Sequence, residues 1–218
     1  MKRSPEIYEY GLPEAERDAA KWVEYALHQL DQFVGDFADC ISLFEFSSQN
    51  GELPHGWRSI AARHGTIALF NFDEAVDAIQ QGQFGRCPTL RDMVAKDKLR
   101  AANKLFEESF KGFEKLRYAA THRGAIYRGE DPYEEHAVET PYVGVGFTLT
   151  AGRMSGSIFE GSKFTTWWKG VEVSYNVTQG SVATLAQVRD LWYEAFEQAS
   201  TLTEERFREL CPRPQAQA

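Results

Sequence analysis

The chain has 218 residues, enough for one domain with a hydrophobic core, and its 43% hydrophobic and 13% aromatic content excludes a disordered protein. Its formal net charge of −8 disfavours a protein that coats nucleic acid by bulk attraction. Polar sequence behind Met1 predicts no secretory signal, and the lack of any run of about 20 apolar residues predicts no membrane span.

Helical spacing of the apolar residues predicts three long helices in the first part of the chain. The first runs from about Pro13 to Phe46, the second from Pro54 to about Gln80, and the third from about Lys98 to His122. A short turn between the second and the third begins after Pro88, with Thr89 as its N-cap. In the first helix the predicted buried stripe consists of Trp22, Ala26, Leu30, Phe33, Phe37, Ile41 and Phe44.

Beyond Arg128 the hydrophobic period changes to two, which predicts strands. The predicted strands are Val143–Leu149, Arg153–Phe159, Phe164–Trp168 and Val171–Val177. Turn signals between them indicate an antiparallel meander of three or four strands. Because adjacent strand residues point to opposite faces, we expect Trp168 to pack under the helices and Trp167 to lie at an edge.

These elements predict a mainly α protein, a helical bundle of about four long helices with a small antiparallel β-meander inserted before the last helix (α+β). We expect a single domain over residues 1–218. Its helical core would span 13–128 and its β-meander insert 140–179, followed by a C-terminal helix over 181–210 that Ser181 caps.

Basic residues are concentrated in one stretch of this acidic chain. Between Lys96 and Arg128 there are nine basic and four acidic residues, a net +5, so the remainder carries −13 of the total of −8. One interpretation is a charged helix that happens to be lopsided. The other is a local basic cleft on an acidic body, which would suit an anionic substrate.

One short motif within that stretch combines groups able to act on a phosphodiester. It reads Arg117-Tyr118-Ala119-Ala120-Thr121-His122, late in the third predicted helix. A guanidinium forks onto phosphate oxygens, and an imidazole titrates near neutrality and can move a proton. An Arg and a His separated by four residues in a helical core resemble the HEPN superfamily, whose signature is an Arg, four to six residues, then a His.

The resemblance implies metal-independent RNA cleavage at a homodimer interface where two motifs share one cleft. Arg117 would then clamp the phosphate and His122 would be the general acid/base, with the ribose 2′-hydroxyl as nucleophile. The residues expected to bind substrate flank this pair: Lys115, Tyr118, Thr121 and Arg123. The family context suggests toxin–antitoxin or phage-defence systems and an antitoxin or regulatory partner protein, with no cofactor and no metal.

A structural role for the same two residues remains an alternative to catalysis. Arg117 and His122 are also suited to structural roles, pairing with acidic residues or capping a helix C-terminus. The protein would then be a non-catalytic helical interaction module that binds a partner protein, a nucleotide or a small molecule. The Tyr118 that follows the Arg is a departure from catalytic family members, which often carry a polar residue there.

The other polar clusters predict less. We interpret His64, beside Arg63, as a structural residue, and neither His28 with Asp31 nor the segment 134–136 has further metal ligands at a recognisable spacing. The three cysteines lack CxxC spacing and predict neither a disulfide framework nor a zinc site: Cys40, Cys87 and Cys211. We therefore expect a location in the reducing cytoplasm.

Overall fold

The computed structural model describes residues 2–49, 56–121, 141–144, 147–149 and 157–210, and it confirms the mainly α class. The helices are α1 (Arg17–Gln49), α2 (Gly56–Asp77), α3 (Pro88–Met93), α4 (Lys96–Ser109), α5 (Phe113–Thr121) and α6 (Gln179–Leu210). The strands are β1 (Tyr142–Gly144), β2 (Phe147–Leu149), β3 (Ser157–Glu160), β4 (Lys163–Trp168) and β5 (Val171–Asn176). No helix in the described part of the chain is long and apolar enough to span a membrane.

The first two long helices are confirmed, with altered ends. Before α1, the residues Glu14–Glu16 form a 3₁₀ turn behind Pro13, so the α-helix begins at Arg17. At the end of α2 the chain continues as a π-helical turn, Ala78–Gln83, which the amide of Phe84 closes by donating to the carbonyl of Ile79 (3.0 Å). Such wide turns are rare and often occur at functional sites.

The single third helix predicted over Lys98 to His122 is wrong, because the chain breaks between α4 and α5. Gly112 adopts a φ of 71°, the left-handed conformation in which helices commonly end. The amide of Phe113 donates to the carbonyl of Phe110 (3.1 Å) across this break. Phe106, Phe110 and Leu116 are all buried, so the apolar stripe resumes in α5 and periodicity alone does not reveal the interruption.

The β-meander is confirmed as a three-stranded antiparallel sheet in the order β3-β4-β5, before the last helix. The single strand predicted over Val143–Leu149 is wrong. That segment forms β1 and β2, which pair with each other in an antiparallel register that places Gly144 opposite Phe147. Glycine weakens a strand interior and favours a change of direction, which explains why this alternating pattern does not form one strand.

The last helix begins two residues before its predicted cap. Thr178, not Ser181, precedes the first turn of α6, and its Oγ1 accepts a hydrogen bond from the Ser181 amide (3.4 Å). This is the N-cap arrangement, in which a side-chain oxygen satisfies an amide three residues on. The Ser181 hydroxyl instead donates to the carbonyl of Asn176 (2.5 Å). Likewise Cys87, not Thr89, precedes α3, where Pro88 takes the first position.

The described residues form two compact units. The expectation of a single domain over residues 1–218 stays a prediction. Unit 1 comprises Met1–Val34, Phe72–Phe106 and Leu185–Ala218, and unit 2 comprises Gly35–Asn71 and Glu107–Thr184. In unit 1 the rings of Phe72 and Phe106 stack at 5.7 Å. The hydrophobic effect stabilises each unit through its own set of buried aromatic and aliphatic side chains.

Unit 1 is also held by the segment before α1. The Tyr8 amide donates to Thr203 Oγ1 of α6 (3.3 Å), and the Tyr8 ring stacks on Phe207 at 5.7 Å. The Ile7 amide donates to Glu24 Oε1 of α1 (3.2 Å). A side chain at Gly11 would lie 2.2 Å from the carbonyl oxygen of Thr203, so only glycine allows this close approach.

Unit 2 surrounds a buried tyrosine of β5. The Tyr175 hydroxyl donates to the carbonyl of Ala62 on α2 (2.6 Å), and its ring lies 6.1 Å from that of Phe37 and 5.9 Å from that of Phe164. Burial raises the pKa of Tyr175 far above its ordinary value, so the phenol stays a proton donor. This residue therefore joins the sheet to the helices within unit 2.

Candidate functional site

Helix α5 contains the described part of the Arg–His motif, from Arg117 to Thr121. Its inner face is formed by Leu116 and Ala119, which are 0% and 3% exposed, and the helix packs on strands β4 and β5. The turn at Gly112 sets the direction in which α5 starts. With that inner face fixed, Arg117 is half-buried and Tyr118 is 38% exposed.

Arg117 is held by an aromatic ring of α2. Its guanidinium carbon lies 3.6 Å from the ring centroid of Phe70 and 5.5 Å from that of Tyr118. A cation–π contact of this kind contributes about 0.5–2 kcal/mol. Stacking engages the flat face of a guanidinium, whereas its N–H donors lie in the plane at its edge, the geometry that suits phosphate oxygens.

Tyr118 continues the aromatic contact to the sheet. Its ring stacks on that of Trp168 with centroids 5.7 Å apart and an interplanar angle of 22°. The expectation that Trp167 lies at an edge is wrong. Trp167 is 3% exposed and meets Tyr142 edge to face at 5.0 Å, while Trp168 is the half-buried member of the pair. Both faces of this end of β4 are covered, so neither tryptophan is a bare stacking platform.

The other motif residues are only partly described. Lys115 is exposed, and because it lies two positions before Arg117 in a helix the two side chains project about 200° apart. Thr121 is the last residue of α5. His122 and Arg123 lie outside the described residues. The pairing of Arg117 with His122, and the homodimer that would share it, therefore stay predictions.

The basic stretch is partly neutralised where it is described. Lys98 donates to Glu194 Oε2 of α6 (2.6 Å), and Lys96 lies 3.8 Å from Asp92. Arg128 lies outside the described residues. Both interpretations of the charge excess, a lopsided helix and a basic cleft, remain predictions, but Lys96 and Lys98 are engaged in ion pairs rather than directed at a shared site.

The remaining histidines do not form a site in the described part of the chain. His64 is exposed. His28 Nε2 lies 4.0 Å from Glu24, whereas the carboxylate of Asp31 accepts a hydrogen bond from Arg189 (2.8 Å). Among the described residues no group of three or more His, Cys, Asp or Glu side chains could hold a metal ion. The segment 134–136 lies outside those residues.

The two described cysteines, Cys40 and Cys87, are free thiols and both are buried. Burial raises the pKa of each thiol to about 11, so neither is a reactive thiolate near neutral pH. Cys211 lies outside the described residues. The described thiols are therefore packing residues and not nucleophiles.

A cleft of about 630 Å³ in unit 1 was not expected from the sequence. Its lining residues are Asp18, Lys21, Trp22, Tyr25 and Arg86. The prediction that Trp22 is part of the buried stripe of α1 is wrong, because Trp22 is 58% exposed while Ala26 and Leu30 are buried. Steps of four residues rotate by about 40° each around a helix, so Trp22 lies well outside the sector that Leu30 occupies.

Comparison with known proteins found no matching family model, no similar curated protein and no similar solved structure.

Proposed function

We propose that the protein is a HEPN-like, metal-independent endoribonuclease that acts as a homodimer. Arg117 and His122 carry the reaction, and two copies of the motif share one cleft between subunits. Toxin–antitoxin or phage-defence systems are the proposed context, with an antitoxin or regulatory partner protein in the cytoplasm. This proposal extends the resemblance of the Arg117–His122 motif to the family signature.

The observation that carries the proposal is the contact between Arg117 and Phe70. A long arginine side chain normally loses much conformational freedom when it binds a phosphate. Here the guanidinium already lies 3.6 Å from the ring centroid, in a half-buried position on a helix that packs against a sheet. A cation held in advance stabilises transition-state charge better than one that must be ordered during the reaction.

The proposed chemistry uses the substrate's own nucleophile. His122 of one subunit removes the proton from a ribose 2′-hydroxyl, whose oxygen attacks the adjacent phosphorus. The bond from phosphorus to the 5′-oxygen breaks, and the imidazolium of the second motif gives that oxygen its proton. The products are a 2′,3′-cyclic phosphate and a 5′-hydroxyl. Arg117 stabilises the negative charge that the phosphoryl oxygens gain.

The aromatic stack beside Arg117 suits a single-stranded substrate. Tyr118 is 38% exposed and is supported from behind by Trp168. An unpaired base can stack on such a ring, which contributes about 1–3 kcal/mol per base in single-strand binders. Tyr118 would thus help to orient the nucleotide whose phosphate Arg117 holds.

The test is RNA cleavage in EDTA by wild-type protein and by H122A, R117A and R117K. We expect H122A to lose about 10²- to 10⁴-fold in rate and R117A about 10²- to 10³-fold. R117K keeps the positive charge but cannot donate two parallel hydrogen bonds to a phosphate, so its cleavage rate should lie between those of R117A and the wild type. The matched control is R91A, which removes an exposed arginine that pairs with Asp92 on α3. Replacing the 2′-hydroxyl at the cleavage site should abolish the reaction.

Absence of cleavage by wild-type protein, or cleavage that H122A leaves unchanged, would overturn the proposal. Removal of the contact with Phe70 also lowers the stability of R117A by about 0.5–2 kcal/mol. Circular dichroism of R117A is therefore needed to separate a catalytic loss from a folding defect. The expected combination is loss of cleavage by an R117A protein that remains folded, with wild-type cleavage by R91A.

A further inference from the structure

The cleft around Trp22 in unit 1 is a second candidate site, and none of its lining residues belongs to the Arg117 motif. Four of its lining residues follow one another at helical spacing along one face of α1: Asp18, Lys21, Trp22 and Tyr25. Trp22 and Tyr25 are 58% and 56% exposed, and their rings meet edge to face at 5.9 Å and 88°. Two large aromatic side chains exposed side by side commonly mark a binding surface.

The fifth lining residue is positioned by the unusual end of α2. Arg86 lies in the turn behind the π-helical segment, where its amide and that of Cys87 both donate to the Gln83 carbonyl (2.8 and 3.0 Å). Arg86 Nη1 donates a hydrogen bond to the neutral Gln83 Oε1 (3.4 Å). The π-helical turn thereby brings a cation to the aromatic face of α1.

The polar groups of the cleft have complementary capacities. Lys21 lies 3.9 Å from Glu9 and is 54% exposed, an arrangement that contributes little and that a ligand can replace. Asp18 has no hydrogen-bond or ion-pair partner in the described part of the chain. The cleft therefore offers two cations, one accepting carboxylate and an aromatic wall.

We propose that this cleft binds a nucleotide. The base stacks on Trp22, Arg86 and Lys21 bind the phosphate, and Asp18 accepts a hydrogen bond from a base amino group or a ribose hydroxyl. A volume of about 630 Å³ is within the range of small-molecule sites, about 300–1,000 Å³.

The same chemistry has two possible sources, a free nucleoside phosphate and one unit of single-stranded RNA. We test both by calorimetric titration of H122A protein, in which the proposed cleavage is blocked, with 5′-AMP, 5′-GMP, 5′-CMP and 5′-UMP and with a hexanucleotide RNA. Inorganic phosphate is the probe for charge alone and should bind far more weakly, because it cannot stack. Tight binding of a mononucleotide identifies the free ligand, and binding of the hexanucleotide alone identifies RNA.

Substitutions then locate the site. W22A should weaken binding about 10- to 100-fold, the size of a lost base–aromatic stack, and R86A about 10-fold. W57A removes another exposed tryptophan (45%) and R91A another exposed arginine, so both controls should bind as H122A does. Trp22 is largely exposed, so W22A should retain its circular dichroism and unfolding curve.

The proposal is overturned if neither mononucleotides nor the hexanucleotide bind. It is equally overturned if W22A and R86A bind normally, or if W22A changes only the oligomeric state measured by light scattering, which would identify a second copy on this face. Because binding is measured without turnover, failure of the ribonuclease proposal leaves the result intact. Nucleotide binding without any cleavage by wild-type protein would support this site and reject the catalytic role of His122.

Discussion

Gly65→Ala is a stringent test of the packing in unit 2, because two opposing effects can be separated. A Cβ at position 65 would lie 2.6 Å from the Tyr175 hydroxyl oxygen and 3.3 Å from a ring carbon of Phe37. Tyr175 is 5% exposed and its hydroxyl is fixed by the hydrogen bond to Ala62, so the ring has little room to move. The added methyl group must therefore displace a well-packed core residue.

The magnitudes favour destabilisation. Glycine to alanine inside a helix stabilises by about 0.5–1 kcal/mol. Overpacking a filled core costs about 1–3 kcal/mol, so the net effect of G65A should be a loss of about 0–2.5 kcal/mol in the free energy of unfolding. The matched control is G35A in α1, where a Cβ would meet nothing within 4 Å and where alanine should stabilise by the full helix preference.

A double-mutant cycle with Tyr175→Phe identifies the cause. Y175F removes the oxygen that the new methyl group meets and loses the hydrogen bond to Ala62, which costs about 1 kcal/mol. In that background G65A should become neutral or stabilising, a coupling of about 1–3 kcal/mol between the two positions. Urea unfolding followed by circular dichroism measures all four proteins and G35A, with the slopes compared to detect departures from two-state behaviour.

If G65A stabilises the protein as much as G35A does, the contact around Tyr175 is not as tight as its distances indicate. If G65A destabilises equally in the presence and absence of the Tyr175 hydroxyl, the cause lies elsewhere in the helix. Either result would refute the reasoning.

Two further predictions concern an ion pair and a turn. Hydrogen bonds from Lys2 and Lys98 lower the pKa of Glu194 from 4.5 to about 2. The contribution of this ion pair to stability is therefore present above pH 4.5 and is lost as the pH falls towards 2. Unfolding curves of the wild type and E194Q should converge over that range. G112A should cost about 1–2 kcal/mol in urea unfolding because its φ is positive. G161A is the control, because Gly161 also has a positive φ but a Cβ there would meet nothing within 4 Å. A larger loss of stability in G112A than in G161A would report the contact of the new Cβ with Val173 (3.3 Å).

The elements that the sequence predicts well are those with a long, unbroken period. α1, α2 and α6 bury one face over many turns, and the alternation in β4 and β5 marks their strands. The hydrophobic pattern does not show the break at Gly112, because apolar residues continue at steps of three or four from Phe106 to Leu116. Only a glycine inside a helical pattern signals it, and Gly35 carries the same signal without a break.

Trp22 shows a second limit of periodicity. Hydrophobic patterns identify a core face by averaging over residues, so one aromatic residue at the border of that face is assigned to the core with its neighbours. The exposure of Trp22, and the approach of Arg86 from a turn some sixty residues later in the chain, depend on tertiary contacts. A sequence motif can place Arg117 and His122 near each other along the chain, but the Phe70 contact arises only from the packing of two helices.

The attachment of the first residues to α6 has a consequence for local opening. Tyr8 and Gly11 contact Thr203, and Ile7 contacts Glu24, so releasing this segment would uncover α1 and α6 together. Amide protons in the last turns of α6 should then exchange with solvent in a cooperative event with those of residues 7–12, instead of by independent fraying. Deleting that segment should accelerate exchange in α6 at a distance of nearly two hundred residues along the chain.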